Sequence, residues 1–228
     1  MITERPFADL GALVEALAAE IASVLTRAVD ARGGASLVVT GGATPEPLYR
    51  ALSKTEAPWR EMSITLSDER WVPVDDPASN EGMVRRTLLD GHPGKARFVS
   101  LRTADARAAE AAPKVAAAIA AMSRPFDACL LGIGADGHVA SLFPGEPVRR
   151  DVLVQAVTAP NAAGAAERIS LSLGALQESR RVFLLFTGAA KLAAYGAARD
   201  KRSQTPLALF LAAAGDRVAA YWCAEDRS

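Results

Sequence analysis

The stretch ASLVVTGGATPEPLYRAL, residues 35–52, decides the fold class. Its first six residues read as a short strand that is apolar on both faces, glycines follow, and a helix is predicted to start near Pro45. The same apolar run and polar turn recur in MSITLSDERW (62–71), DACLLGIGADG (127–137) and RVFLLFTG (181–188). Strands without polar alternation lie in the middle of a parallel sheet that helices cover on both faces. The sequence therefore predicts an α/β, doubly wound fold.

Two long helices are predicted on either side of these strands. From Leu10 to Ala31, aliphatic residues recur at helical spacing, and Gly33–Gly34 ends this helix. The alanine-rich stretch from Ala104 to Met122 is most simply explained as a crossover helix. The 228 residues contain no Pro/Gly/Ser-rich linker and no internal repeat, so a single domain spanning residues 1–228 is expected.

Composition limits the partners and the cellular location. The 26 Lys and Arg residues balance the 26 Asp and Glu residues, so no strong overall field attracts nucleic acid or an anionic membrane. No signal-like N-terminus and no apolar run of about 18 residues is present, so a soluble cytoplasmic protein is expected. Cys129 and Cys223 have neither disulfide nor zinc-site spacing, and two reduced, buried thiols are expected.

Polar residues directly after the apolar runs are the candidates for function, because ligands of open parallel sheets bind beyond the carboxyl ends of the strands. In the first junction, Gly41 and Gly42 allow close approach to the backbone. Thr44 is predicted to cap the following helix with Pro45 at its first position, so that free N–H groups point at an incoming anion. Glu46 would repel a phosphate unless its side chain turns away. The junction is either a phosphate cradle or an ordinary capped turn.

The junction GIGADGH, residues 132–138, formally matches the G-x-G-x-x-G pattern of dinucleotide sites. Its glycines do not open a long helix, because Pro144 and Gly145 follow closely, and no acidic residue closes the next strand. The turn instead presents Asp136 and His138 on either side of a glycine, which suits a general base with a carboxylate neighbour. A structural or solvated histidine is the alternative. No motif for a covalent nucleophile is present.

The remaining junctions supply cations. Arg70 follows Asp68 and Glu69, and a guanidinium can clamp a phosphate or carboxylate bidentately, whereas the alternative is a surface ion pair. Lys191 falls in the first turn of a helix, where the helix dipole disfavours a cation unless an anion lies there too. Arg168 enters a short apolar strand, and an ordinary surface charge is its alternative interpretation.

Taken in order, TGGATPEPLY, SDERWVPVDDPASNEGMVRRTLL, GIGADGHVASLFPG, ERISLSLGAL and FLLFTGAAK resemble the 6-phosphogluconolactonase family over residues 37–191. The resemblance implies a three-layer, Rossmann-like fold shared with glucosamine-6-phosphate deaminase and ribose-5-phosphate isomerase. It implies hydrolysis of 6-phosphoglucono-δ-lactone in the oxidative pentose phosphate pathway, without a metal or cofactor. His138 corresponds to the general base and Asp136 to its neighbour. The residues that match positions in the phosphate and sugar pocket are Gly41, Gly42, Ala43, Thr44, Asp68, Arg70, Arg168 and Lys191. Ala43 stands where the family commonly has serine.

Two other functions remain open from the residues alone. One is an aldose–ketose isomerase or amino-sugar deaminase; the deaminases typically carry a stretch resembling F-N-E-P after the histidine, whereas this chain has SLFPG there, at residues 141–145. The other is a sugar-phosphate-binding regulator, which would need a DNA-binding segment, and the sequence shows no basic stripe for one. The expected partner is therefore a phosphorylated sugar lactone, with neither nucleic acid nor membrane, and the oligomeric state is left open.

Overall fold

The structure is a computed structural model that describes residues 1–159, 165–200 and 202–224. Within these ranges, ten strands are defined in chain order: β1 (Thr3–Phe7), β2 (Ala35–Val39), β3 (Met62–Leu66), β4 (Asp68–Arg70), β5 (Arg97–Val99), β6 (Ala128–Leu131), β7 (Val154–Thr158), β8 (Glu167–Leu171), β9 (Val182–Thr187) and β10 (Val218–Cys223). The α-helices are α1 (Leu10–Arg32), α2 (Glu46–Leu52), α3 (Asn80–Thr87), α4 (Ala108–Ala120), α5 (Leu173–Gln177), α6 (Ala189–Ala198) and α7 (Pro206–Ala214).

The central sheet has seven strands in the order β1-β10-β9-β6-β2-β3-β5. Every neighbouring pair in it is parallel. All residues of β2, β6 and β9 are buried, which explains why these strands show no polar alternation. The predicted α/β fold is confirmed.

The two predicted long helices are present with slightly different ends. In α1 the side chain of Asp9 accepts the N–H of Ala12 at 2.9 Å, and Gly33 ends the helix in the left-handed region at φ 73°. Helix α4 starts later than the alanine-rich composition suggested, because Arg107 is extended and the Glu167 carboxylate accepts the N–H of Ala108 at 2.9 Å. A residue of a distant strand thus sets the start of this helix.

A second, three-stranded antiparallel sheet, in the order β4-β8-β7, was not predicted. The residues after β3 were expected to form a polar turn, but Asp68–Arg70 form strand β4, in which Arg70 pairs with Arg168 of β8. Strand alternation turns the side chains of Asp68 and Arg70 to one face of β4 and that of Glu69 to the other. Strand β4 builds one wall of the cavity described below.

The sheet order brings the predicted junctions together. Strands β9, β6, β2 and β3 are consecutive neighbours, and each is followed by one of the four polar stretches identified in the sequence. Since these strands are parallel, their carboxyl ends lie along the same edge. None of the helices in the described part of the chain is long and apolar enough to span a bilayer.

Candidate active site

A cavity of about 370 Å³ lies at the carboxyl ends of β2, β6 and β9 and is closed on one side by β4 and β8. Nine of the predicted site residues line it: Gly41, Gly42, Ala43, Thr44, Asp68, Arg70, His138, Arg168 and Lys191. The tenth, Asp136, contacts the ring of His138. The structure therefore brings all four junctions, together with Arg168 from β8, to one place.

Asp136 orients the imidazole of His138. Its Oδ1 lies 2.7 Å from Nδ1 of the ring and also accepts the backbone N–H of His138 at 3.1 Å. Partial burial alone would raise the pKa of Asp136, but the hydrogen bonds from His138 and the charge of its ring outweigh burial and lower it. An ionised carboxylate has no proton to donate, so Nδ1 carries the hydrogen and Nε2 of the neutral ring is left as an acceptor.

Gly134 is required for this contact. A Cβ atom at this position would lie 2.1 Å from Nδ1 of His138 and 2.4 Å from Oδ1 of Asp136. The turn is closed by the Gly134 N–H, which donates to the His138 carbonyl at 3.0 Å, and Gly137 adopts φ 84°. The glycines of GIGADGH thus make room for an acid–histidine pair and do not open a dinucleotide-binding helix.

The glycine loop, residues 40–45, lines the cavity beside this turn. Gly41 packs directly against the amide of Asn80, because a Cβ at Gly41 would lie 1.9 Å from Oδ1 of that side chain. Gly42 adopts φ 96°. Within the described residues, the N–H groups of Gly42, Ala43 and Thr44 donate no hydrogen bond. These three donors are available to an anion.

One prediction about this loop was wrong. Thr44 does not cap α2: the N-cap position is occupied by Pro45, and no side chain accepts a hydrogen bond from the first turn. The loop is one residue longer than predicted because Pro45, with φ −80° and ψ −11°, still belongs to the turn. Glu46 turns toward Arg50, 3.8 Å away, and does not line the cavity.

Two arginines face each other across the β4–β8 ladder. Arg70 and Arg168 are direct partners in the register, and both line the cavity. Arg168 is only 4% exposed, and burial, followed by the charge of Arg70, lowers its pKa. Like charges opposite each other in a ladder are destabilising. A bound anion between them would relieve this repulsion.

Asp68 connects the arginine wall to the histidine turn. The hydroxyl of Ser67 donates to its Oδ1 at 2.8 Å, and the hydroxyl of Ser141 donates to its Oδ2 at 2.6 Å. Nη1 of Arg168 lies 3.5 Å from the same Ser141 hydroxyl. Sequence analysis missed Ser141, although its place three residues after His138 in the same turn was a usable signal.

Glu69 points away from the cavity and anchors α3. Its two carboxylate oxygens accept the N–H groups of Arg70, Asn80 and Glu81 and the hydroxyl of Ser79. The side chain is 1% exposed, and burial raises its pKa even though these hydrogen bonds favour the ionised form. The alternative of a surface ion pair does not describe this residue. Glu69 instead fixes the helix that carries Asn80 against β4.

The histidine turn also holds a backbone outlier and a ring contact that the sequence did not indicate. Ala140 lines the cavity at φ 50°, in the left-handed region that residues with a side chain rarely adopt. The ring of Phe143 lies 4.9 Å from the ring of His138 and 5.6 Å from the guanidinium carbon of Arg168. Phe143 therefore packs between the histidine and the buried arginine.

Lys191 completes the cavity from the side of β9. It is the third residue of α6, half-buried, and follows Gly188, which occupies the N-cap position at φ 88°. Its place in the first turn agrees with the prediction. Together with the two arginines it gives the cavity three cations, whereas no cluster of His, Cys, Asp or Glu in the described ranges is arranged to hold a metal ion.

A family model, a sequence relative and a solved structure all place similarity to this chain in the same family. The family model described as "Glucosamine-6-phosphate isomerases/6-phosphogluconolactonase" matches residues 8–220. A 6-phosphogluconolactonase of Caulobacter vibrioides is 43% identical over 188 residues, which are 79% of this chain and 81% of that protein. The crystal structure of a 6-phosphogluconolactonase from Shewanella baltica superposes with a TM-score of 0.91 at 36% identity, covering 98% of both chains. A monomeric glucosamine-6-phosphate deaminase shares the fold, with a TM-score of 0.80 at 18% identity over 97% of both chains.

The geometry of the histidine turn predicts opposite effects for two Gly-to-Ala changes. Gly134→Ala places a methyl group onto the Asp136–His138 contact, so we expect a loss of about 1–3 kcal/mol in the free energy of unfolding. Gly196→Ala, in α6 with open space around its Cβ position, should gain about 0.5–1 kcal/mol. Urea unfolding measures both. Equal effects of the two changes would contradict the close approach at Gly134.

Proposed function

Because this chain belongs to the glucosamine-6-phosphate isomerase/6-phosphogluconolactonase family, we propose that it hydrolyses 6-phosphoglucono-δ-lactone to 6-phosphogluconate. The observation that carries the proposal is one cavity that holds both a histidine oriented by a carboxylate and three cations, beside loop N–H groups that donate no hydrogen bond within the described residues. The histidine suits the activation of water, and the cations and N–H groups suit a phosphorylated substrate. The named relatives are 6-phosphogluconolactonases, and that activity would use both the histidine and the cations of the cavity.

His138 is the proposed general base. Nε2 removes a proton from a water molecule as the water oxygen attacks the lactone carbonyl carbon, and a tetrahedral oxyanion forms. When the bond from that carbon to the ring oxygen breaks, the imidazolium returns the proton to the ring oxygen. The products are a carboxylic acid, which ionises in water, and a free hydroxyl group. Asp136 keeps Nδ1 as the donor throughout and stabilises the imidazolium.

The cations and the glycine loop hold the two negative groups of the reaction. The phosphate is present throughout, and the oxyanion exists only while the carbonyl carbon is tetrahedral. Arg70, Arg168 and Lys191, with the N–H groups of the glycine loop, supply donors for both. Binding the phosphate fixes the lactone carbonyl near His138, and such positioning lowers the barrier in addition to the proton transfer. A δ-lactone is an activated ester, so these groups are chemically sufficient for its hydrolysis.

The first experiment follows the disappearance of freshly generated 6-phosphoglucono-δ-lactone against its spontaneous hydrolysis, with unphosphorylated gluconolactone in parallel. We expect strong acceleration for the phosphorylated lactone and little for the other, because only the first engages the cation-lined cavity. If neither lactone is hydrolysed faster than in buffer, the proposed function is wrong. Assays for ammonia release and ketose formation from sugar phosphates would then test the deaminase and isomerase alternatives.

Replacing the proposed base separates catalysis from binding. His138→Ala should lower kcat by about 10²–10⁴-fold, the usual contribution of a positioned acid–base group, and leave KM nearly unchanged. His92, the second histidine of the chain, does not line the cavity, so His92→Ala is the matched control and should retain full activity. A kcat of His138→Ala equal to that of the wild type would exclude the general-base role.

The cavity cations predict that anions stabilise the fold. Inorganic phosphate at 100 times its Kd should raise the free energy of unfolding by about 2.7 kcal/mol, because it binds the folded state alone. Lys191→Ala should weaken phosphate binding about tenfold and so, at the same phosphate concentration, reduce this gain by about 1.3 kcal/mol. Lys54→Ala removes the same charge from an exposed site outside the cavity and should leave the gain unchanged. Urea unfolding with and without phosphate gives both values, and identical gains in the two variants would argue against Lys191 as an anion ligand.

A further inference from the structure

Tyr49 lies in α2, behind the glycine loop, and is completely buried. Its hydroxyl oxygen accepts the backbone N–H of Thr40 at 2.9 Å and donates its own proton to the Thr40 carbonyl at 2.5 Å. Burial raises the pKa of Tyr49, so the phenol keeps the proton that it donates. One hydroxyl group thus satisfies both backbone groups of one residue.

Thr40 is the point at which the chain leaves the central sheet. The ladder between β2 and β3 ends with Val39, whose carbonyl accepts the N–H of Ser67 at 2.7 Å. A buried backbone N–H or carbonyl without a partner is costly, and at Thr40 the phenol supplies partners that a neighbouring strand would otherwise provide. The chain can therefore turn out of the sheet into Gly41 at this residue.

Tyr49 also holds the far end of the same loop. Its backbone N–H donates to the carbonyl of Pro45 at 2.9 Å. The side chain of Tyr49 therefore binds the residue where the loop begins, and its main chain binds the residue where the loop ends. Between these two attachments lie the N–H groups of residues 42–44, which donate no hydrogen bond within the described chain.

We infer that Tyr49 is a positioning residue for phosphate binding: by closing the glycine loop between Thr40 and Pro45, it holds the loop N–H groups directed at the substrate phosphate. This inference rests on the proposed function, in which the loop supplies donors to the negative groups of the substrate, and it assigns the loop N–H groups to the phosphate. Tyr49 does not line the cavity, so it touches no substrate and acts only through the loop. Loss of its hydroxyl would allow the loop to move. Phosphate binding would then have to order the loop, and the entropy lost in ordering it would weaken the affinity for phosphate.

The test is Tyr49→Phe, which deletes only the hydroxyl oxygen. We expect KM for 6-phosphoglucono-δ-lactone to rise about tenfold, as for loss of a buried hydrogen bond, while kcat changes much less. Hydrolysis of unphosphorylated gluconolactone should not change, because that substrate has no phosphate to place. A lower stability with an unchanged KM would overturn the inference, since a purely structural tyrosine would give that result.

Tyr195→Phe is the matched control. Tyr195 is also buried, and its hydroxyl has no hydrogen-bond partner among the described residues. The same atom is deleted from the core, but no loop is released. We expect the KM and kcat of the wild type. An increase in KM equal to that of Tyr49→Phe would show that any buried phenol has this effect and would also overturn the inference.

Titration calorimetry with inorganic phosphate separates this inference from the proposed function. Tyr49→Phe should weaken the Kd for phosphate about tenfold even if neither lactone is hydrolysed, so the two proposals can fail independently. Absence of phosphate binding to the wild type, or an equal Kd in the variant, overturns the role of Tyr49.

Amide hydrogen exchange on the wild type covers the case in which Tyr49→Phe does not fold. The Thr40 N–H should exchange slowly in the free protein, whereas the N–H groups of Gly42, Ala43 and Thr44 should exchange fast and become protected when phosphate is added. If the Thr40 N–H exchanges as fast as these three in the free protein, Tyr49 does not hold the loop.

Discussion

The buried carboxylates of β4 hold the parts of the site together. Asp68 accepts the hydroxyl of Ser141 and so ties β4 to the histidine turn, and its backbone carbonyl accepts the amide of Asn80, which packs against Gly41. On the opposite face of the strand, Glu69 binds the N-terminus of α3. Strand β4 is three residues long and therefore has few ladder hydrogen bonds of its own. Its position depends on these side-chain contacts, and the glycine loop, the arginine pair and the histidine turn depend on its position.

Several features around the cavity are locally unfavourable. Arg70 and Arg168 are direct ladder partners. Burial lowers the pKa of Arg168 and raises the pKa of Glu69, and both shifts disfavour the charged form of the side chain. Ala140 adopts a backbone conformation that residues with a side chain rarely adopt. These unfavourable features gather at one edge of the sheet, whereas the apolar core beneath it is continuous. The unfavourable features thus lie around the cavity and not within the apolar core.

The α/β class and the convergence of the candidate residues on one cavity could be predicted from sequence, because buried parallel strands leave apolar runs and the polar residues after them meet at one edge. The second sheet could not, since β4 pairs with β8 far along the chain and three residues are too few to show a period. The start of α2 was misjudged because proline is common at the first helical position, and here it still belongs to the preceding turn. Ser141 lies near His138 in sequence, but its contact with Asp68 joins two distant segments. Asn80 and Tyr49 act through side-chain hydrogen bonds to main-chain groups of Asp68 and Thr40, which a pattern of apolar and polar residues does not reveal.

The exposed donors of the glycine loop belong to the main chain, and this affects how the loop tolerates mutation. Every residue except proline offers the same N–H group, so the proposed anion contact would make little demand on the side chains of Ala43 and Thr44. Gly42 differs, because its φ of 96° favours glycine. Ala43 can therefore offer its N–H group to an anion without a polar side chain. Substitution of Ala43 is limited mainly by the backbone conformation of the loop. Gly41 cannot be substituted in this way, because any side chain there would collide with Asn80. Neighbouring residues of the glycine loop should thus differ sharply in how many substitutions they tolerate.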